Sequence, residues 1–446
     1  MNELTRLIKE DMKPALGVTE PGAIAYAVAS ARSHVTGEIK RVRVRMNSGM
    51  YKNAYTCGIP NSSRFGNLYA AALGAVAADA GKGLESLANI TPEDDEMAAK
   101  MVEDGKVEAL VDCIDSRIRI DATVETQADT CMVSIRDSHT HIVSIEKNGE
   151  QIYVENRSEE GDVSVDALEY GQEGAEGSAI PAIHRYSLKD ILEYVEHVSL
   201  EELAFIRDAF AMNMELLEEG LASDRATIAK RLFQKNGEQM FSSHVLDTAQ
   251  LLCNGAIEAR VLGLSRPAMS ITGSGAHGII ATMPLLAEYK VNCESKMPAE
   301  DMQEEDVMLL RATALSYLIT MYIKEYSGRL SAFCGCGIAA GTGMACGLAY
   351  MRGADETIIT MVIQNMASGL TGMICDGGNH GCAMKGIVAV DAAFRAVELA
   401  MDGICIESIH GINGRTPEDT MRHMGMIASP GMVQTEKTIV EIMEQK

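Results

Sequence analysis

Four cysteines set in glycine-rich sequence are the residues of this chain best suited to chemistry. Cys334 and Cys336 lie in S-A-F-C-G-C-G-I-A-A-G, from Ser331 to Gly341. Cys375 and Cys382 lie in I-C-D-G-G-N-H-G-C-A-M-K, from Ile374 to Lys385. Thiolates are the soft protein ligands and select zinc, copper(I) or iron–sulfur centres. Glycines beside them let the backbone approach a bulky inorganic group and turn N–H groups toward it. The spacings match no C-x-x-C zinc pattern. From spacing alone, these thiols are either metal ligands or small buried hydrophobes. Cys57, Cys113, Cys131, Cys253, Cys346 and Cys405 lack glycine-rich partners and read as packing.

Three loops and a lysine carry groups that can hold a small molecule. I-T-G-S-G-A-H-G-I, from Ile271 to Ile279, brings Gly273, Ser274, Gly275 and His277 together. Its glycines allow successive N–H groups to converge on a carboxylate or a phosphate, although no Lys-Ser/Thr follows as in a P-loop. The plainer alternative is a tight turn between core helices. G-V-T-E-P, from Gly17 to Pro21, offers Thr19 and Glu20, and C-G-I-P-N-S-S, from Cys57, offers Asn61. Capping alone also explains Thr19. Lys385 is a candidate cation for a substrate carboxylate, or a surface lysine.

The elements that position these groups form an α+β pattern. Leu4, Leu7 and Ile8 share one helical face that Pro14 ends, and Thr19 with Pro21 starts an alanine-rich helix. R-V-R-V-R-M-N, from Arg41, alternates as a half-buried strand, and the chain from Asn67 to Ala80 is helical. Between Ser116 and Glu155 short alternating segments, with Asn148-Gly149 as a hairpin turn, predict a small, mainly antiparallel sheet backed by helices. Residues 158–186 are acidic and glycine-rich and read as a linker. Beyond them helical periodicity dominates, over about 187–197, 200–219, 222–234, 244–263, 304–325, 336–351 and 387–401, with Ser187 and Ser199 as caps. The expected organisation is an α+β domain over 1–157, the linker over 158–186, and a nearly all-α domain carrying the cysteine loops over 187–446.

Composition narrows the function classes. Of 446 residues 47% are hydrophobic, with no Trp but 28 Met and 40 Gly, which suits a large core of aliphatic side chains and close backbones. The net charge of -24 disfavours nucleic acid as a partner. The charged start, M-N-E-L-T-R-L-I-K-E, has no signal-peptide core, so a cytoplasmic protein with reduced thiols is expected. Leu330 to Met351 carries no charge and matches a membrane span in length, but its many glycines favour a core helix, and no membrane partner is expected. A homo-oligomer acting on a small amino-acid substrate is the expected setting.

Taken together, G-x-T-E-P near the start, I-T-G-S-G-x-H-G-I, C-G-C before an Ala/Gly helix, and C-D-G followed by C-A-x-K resemble the L-cysteine desulfidases. That family is related to the α-chain of the iron–sulfur L-serine dehydratases, and the resemblance runs through the whole chain in order. It implies a four-iron, four-sulfur cluster held by Cys336, Cys375 and Cys382, with Cys334 competing for the first place. It implies a β-eliminating lyase that turns L-cysteine into pyruvate, ammonia and sulfide, or a dehydratase of an L-serine-like acid. It places Gly273, Ser274, Gly275 and His277 at the substrate carboxylate and makes Thr19, Glu20, Asn61 and Lys385 candidates for orienting the substrate. His380, between two ligands, is the first choice of base and His277 the second, since imidazole suits proton transfer near neutral pH. Two positions depart from the family: Val18 stands where relatives have cysteine, and Ala276 where they have asparagine. A cluster-bearing paralogue that binds a metabolite without turning it over is therefore a further alternative.

Overall fold

The computed structural model describes residues 1–155, 180–293, 305–328 and 330–446. Its α+β architecture agrees with the sequence reading. The first part carries helices α1 (Glu3–Asp11), α2 (Thr19–Ser33), α3 (Ser48–Ala54), α4 (Asn67–Val76) and α5 (Pro92–Glu103). Its strands are β1 (Lys13–Leu16), β2 (Ile39–Asn47), β3 (Val107–Cys113), β4 (Arg119–Thr126), β5 (Thr130–Arg136), β6 (Ile142–Lys147) and β7 (Glu150–Val154). The second part adds one strand, β8 (Pro267–Ser270), to helices α6 (Leu188–His197), α7 (Leu200–Leu203), α8 (Arg207–Ala222), α9 (Ile228–Lys235), α10 (Val245–Val261) and α11 (Gly275–Glu288). After these come α12 (Glu305–Ser327), α13 (Gly341–Met351), α14 (Glu356–Leu370), α15 (Gly381–Met401), α16 (Pro417–Met426) and α17 (Val433–Glu444).

Strands β2 to β7 form one sheet in the order β3-β2-β4-β5-β6-β7. All its pairs are antiparallel except β2 with β3. V-E-A-L-V-D-C lies outside the strands expected from sequence, because only Val107 in it is buried and no clean in–out alternation marks it. The alternation in β2 works as expected. Val42, Val44 and Met46 are fully buried, while Arg41 and Arg43 reach across to Glu108 on β3. Helices α2 and α4 cover the buried face. A Cβ on Gly74 would lie 2.7 Å from the Ala25 carbonyl oxygen, so glycine sets the approach of these two helices.

In the second part α10 is buried on nearly every side, wrapped by α8, α9, α11 and α15. The charge-free run after Leu330 is a core element: α13 lies on α12 so closely that a Cβ on Gly343 would strike the Ser316 carbonyl oxygen. Among the described residues one helix, Val307–Ser327, is long and apolar enough to cross a membrane, and 83% of its apolar window is buried inside the molecule.

Several boundaries moved. Ser187 closes a capping box with Asp190, as read, and Ser199 accepts from the Glu202 N–H. The single helix expected over 200–219 is broken at Ala204–Ile206 by a tighter turn. Thr19 is no N-cap: α2 begins at Thr19, and the cap residue is Val18. Helices α3, α5, α11, α14, α16 and α17 lie outside the helices expected from sequence. Helix α11 is so apolar that it shows little periodicity, since a helix buried all round has no polar face. Most of the proposed linker, residues 158–179, lies outside the described residues. The two parts also exchange their ends. β1 pairs with β8, and α17 packs on α3, where Tyr55 donates to the Met443 carbonyl at 2.7 Å.

Candidate active site

The two cysteine loops are joined by backbone hydrogen bonds. Cys334 N–H donates to the Met373 carbonyl at 3.1 Å, and Cys375 N–H to the Ala332 carbonyl at 2.6 Å. Phe333 and Ile374 form an antiparallel bridge between them. Beneath both loops lies the buried Lys52, whose Nζ donates to the carbonyls of Ser331 (3.0 Å) and Cys375 (2.9 Å) and pairs with Glu436 at 3.2 Å. Burial opposes the Lys52 charge, but Cys375 and Glu436 outweigh it and leave its pKa above the ordinary value. Neither Lys52 nor Glu436 was singled out from sequence, because only folding brings α3 and α17 under the loops.

Cys336, Cys375 and Cys382 line one cavity of about 120 Å³. Cys334 does not line it. Its thiol is buried, accepts the Gly337 N–H at 3.4 Å, and is pushed well above its usual pKa by its hydrogen bond with Cys336 and then by burial. Cys382, in the first turn of α15, is pushed up to about 11, mainly by burial. Gly377 holds a positive φ of 106° over Lys52, where a Cβ would strike the Lys52 carbonyl.

The donor set fits the four-iron cluster that the resemblance implies. Among the described residues no three or more His, Cys, Asp or Glu side chains converge on a single metal-ion position. A cluster binds each thiolate to a different iron and so asks for separated sulfurs around a common hollow. Cations attend these thiols. Lys324 lines the cavity; burial holds its pKa below the lysine range, while Cys336, Cys375 and Cys334 pull the other way. Lys385 pairs with Asp376, and although burial opposes it, Cys382 and that pairing raise its pKa.

The opposite wall comes from α2, α3 and the β5–β6 turn. Thr19 and Glu20 are buried and face the cavity. Thr19 Oγ1 donates to Glu20 Oε2 at 3.1 Å and Asn53 Nδ2 donates to Oε1 at 2.9 Å, with His139 Nε2 at 4.0 Å. Burial would raise the Glu20 pKa; His139, Asn53 and Arg260 together hold it below the usual carboxylate value. Val18, Ala276 and the loop residues Gly273, Ser274 and His277 also line the cavity. Gly275 opens α11 beside them.

Within that loop Thr272 and Gly273 take positive φ, and Asp11 on α1 accepts the Thr272 N–H at 2.5 Å. The first N–H groups of α11 have no partners within the helix, and no side chain caps them. His277 Nδ1 is hydrogen-bonded to Thr272 Oγ1 at 2.5 Å. Burial, with Lys324 and Arg260 nearby, pushes its pKa down to about 3, so the ring is neutral.

Three sequence candidates sit elsewhere. His380 is half-exposed, does not line the cavity, and places Nε2 3.1 Å from Oε1 of the buried Glu258. Asn61 takes positive φ and donates to the carbonyls of Leu87 and Ala88, holding a turn outside the cavity. Lys385 also stands outside the lining, against Asp376. Conversely, Asn53, His139, Arg260 and Lys324 line the cavity and lie outside the sequence candidates. Each is alone in its own segment, and no local motif marks it.

The profile of the serine dehydratase alpha chain matches residues 81–441. A UPF0597 protein of Clostridium botulinum (strain Langeland) is 38% identical over 99% of this chain and 98% of its own length. UPF0597 proteins of Caldanaerobacter subterraneus and Clostridioides difficile are 33% and 32% identical, each over 98% of its own length. The chain belongs to the serine dehydratase alpha chain family.

Proposed function

We propose that this protein is an iron–sulfur-dependent β-eliminating lyase of small amino acids, with L-cysteine as its first substrate and sulfide, pyruvate and ammonia as products. The observation that carries the reading is the meeting of Cys336, Cys375 and Cys382 with Glu20 and His277 around one cavity. Cys336, Cys375 and Cys382 would hold a four-iron cluster, which would supply a Lewis acid for the departing sulfur or oxygen, worth several kcal/mol. The remaining work falls to the chain. The N–H groups at the start of α11 receive the substrate carboxylate. Lys324 adds positive charge on the same side. Glu20 stays ionised and holds Thr19 beside it.

His277 is the proposed base, in preference to His380. Its ring is neutral at working pH, and Nε2 lies over Gly335 on the cavity side. For Nε2 to take the Cα proton, Nδ1 carries the other hydrogen and donates it to Thr272. A bound carboxylate offsets Lys324 and Arg260 and strengthens the base. The aminoacrylate released then hydrolyses to pyruvate and ammonia.

The test is anaerobic reconstitution with iron and sulfide. The expected protein is brown, absorbs near ~400 nm and releases sulfide with pyruvate from L-cysteine. A colourless protein that takes up no iron defeats the reading. The family description favours a second reading, dehydration of L-serine, which yields pyruvate and ammonia without sulfide. Cluster loading without turnover of either amino acid favours the metabolite-binding alternative, to which Val18 points.

A further inference from the structure

Arg260, at the end of α10, is only 5% exposed and lines the cavity. Its Nε is buried without a hydrogen-bond partner, and no acidic side chain pairs with it among the described residues. A buried guanidinium N–H without a hydrogen-bond partner is costly, and the ionised Glu20 offsets the charge only through space. The side chain is also held in place. A Cβ on Gly275 would lie 2.7 Å from Nε and 3.1 Å from Cδ, so the guanidinium rests on the first turn of α11. The uncapped N–H groups of that helix and the fork of Arg260 therefore converge on the same region.

The titratable groups that face this region are Glu20, Lys324 and the neutral His277, with His139 behind Glu20 and Asp11 held against the Thr272 N–H. A planar carboxylate matches the guanidinium fork and the helix terminus together. A phosphate dianion fits poorly, since the ionised Glu20 faces the same small hollow. Each Glu20 oxygen accepts one hydrogen bond, from Asn53 or Thr19, and keeps acceptor capacity for another donor.

We propose that Arg260 anchors the α-carboxylate of the substrate while Glu20 receives its α-ammonium, so that the pair selects zwitterionic α-amino acids over hydroxy acids and simple amines. This deepens the lyase reading and rests on it in taking this cavity as the substrate site.

The test is calorimetric titration of the reconstituted full chain with three unreactive probes: L-alanine, L-alaninol, which lacks the carboxylate, and L-lactate, which lacks the ammonium. Wild-type protein is expected to bind L-alanine about 30-fold or more tightly than either of the others. Arg260→Gln is expected to weaken L-alanine by a similar factor and to leave L-alaninol unchanged. Arg260→Lys, which keeps the charge and loses the fork, should weaken L-alanine at least about fivefold and serves if the glutamine variant does not fold. The proposal is overturned if wild type binds L-alaninol or L-lactate as tightly as L-alanine, or if a folded Arg260 variant keeps wild-type affinity for L-alanine. If wild type discriminates as expected yet releases neither sulfide nor pyruvate, the assignment of Arg260 stands and the lyase reading falls.

Discussion

Nε2 of His277 lies over the backbone of Gly335: a Cβ there would sit 2.7 Å from that nitrogen and 3.1 Å from Lys324 Cδ. The glycine between the two cysteines of C-G-C thus gives the imidazole its place beside Cys336. Gly335→Ala must displace the ring or the loop. Misplacing a reacting group by about an ångström costs on the order of a hundredfold in rate. The expected result is that loss in kcat with the cluster absorbance retained, and wild-type kcat in the alanine variant would remove His277 from the chemistry.

The thiols separate by what they face. Cys336→Ala, Cys375→Ala and Cys382→Ala are each expected to abolish the absorbance near ~400 nm after reconstitution. Cys334→Ala should keep it, because that thiol is buried and turned to the Gly337 N–H. Iron content per chain measures the difference. A brown Cys336→Ala protein alongside a colourless Cys334→Ala protein would reverse the assignment.

Val18 packs over the loop between two of these thiols: a Cβ on Gly378 would lie 3.0 and 3.2 Å from its two methyl carbons. Val18→Cys places a thiol at that point and loses little volume, so its stability cost is expected to be about 1 kcal/mol. Sulfide release from L-cysteine should rise at least about tenfold, in line with the contribution of a positioned proton-transfer group. An unchanged rate shows that this loop does not limit turnover.

Glu20 links the site to pH. Its folded pKa lies below the ordinary 4.5. As pH falls, the unfolded chain therefore takes up this proton before the folded one does. The stability gained from the ionised form is complete above about pH 4.5 and is lost as pH drops through the folded pKa. Glu20→Gln removes that dependence. The melting temperature of the variant should fall less steeply than that of wild type below pH 4.5. Parallel curves would show that the Glu20 pKa is not shifted by folding.

His380 and Glu258 form an unequal pair. Glu258 is fully buried and accepts the N–H groups of Thr227, Ile228 and Ala229 at the start of α9. Glu258→Ala strands those donors and is expected to cost about 3 kcal/mol. His380 is half-exposed, so its pairing is screened, and His380→Ala should cost under about 1 kcal/mol with kcat near wild type. Thermal melts and steady-state rates check both, and a collapse of kcat in His380→Ala would restore it as the base.

The chain order alone determined the character of several elements and marked the cysteine loops as candidates. Alternation in Arg41 to Asn47 reports a half-buried strand because a strand's two faces meet different surroundings, and Ser187 with Asp190 caps a helix through contacts three residues apart. Glycines around Cys334, Cys336, Cys375 and Cys382 are equally local, and so those loops were recognisable. Tertiary structure alone decided which groups share the cavity. Arg260, His139 and Asn53 come from separate elements and carry no mark in their own neighbourhoods, while His380 sits between two thiols in sequence and turns toward Glu258 in space. The physical reason is that local pattern reports what each segment buries. The meeting of side chains from distant segments depends on how helices and sheet pack, as when β1 pairs with β8 and α17 settles on α3.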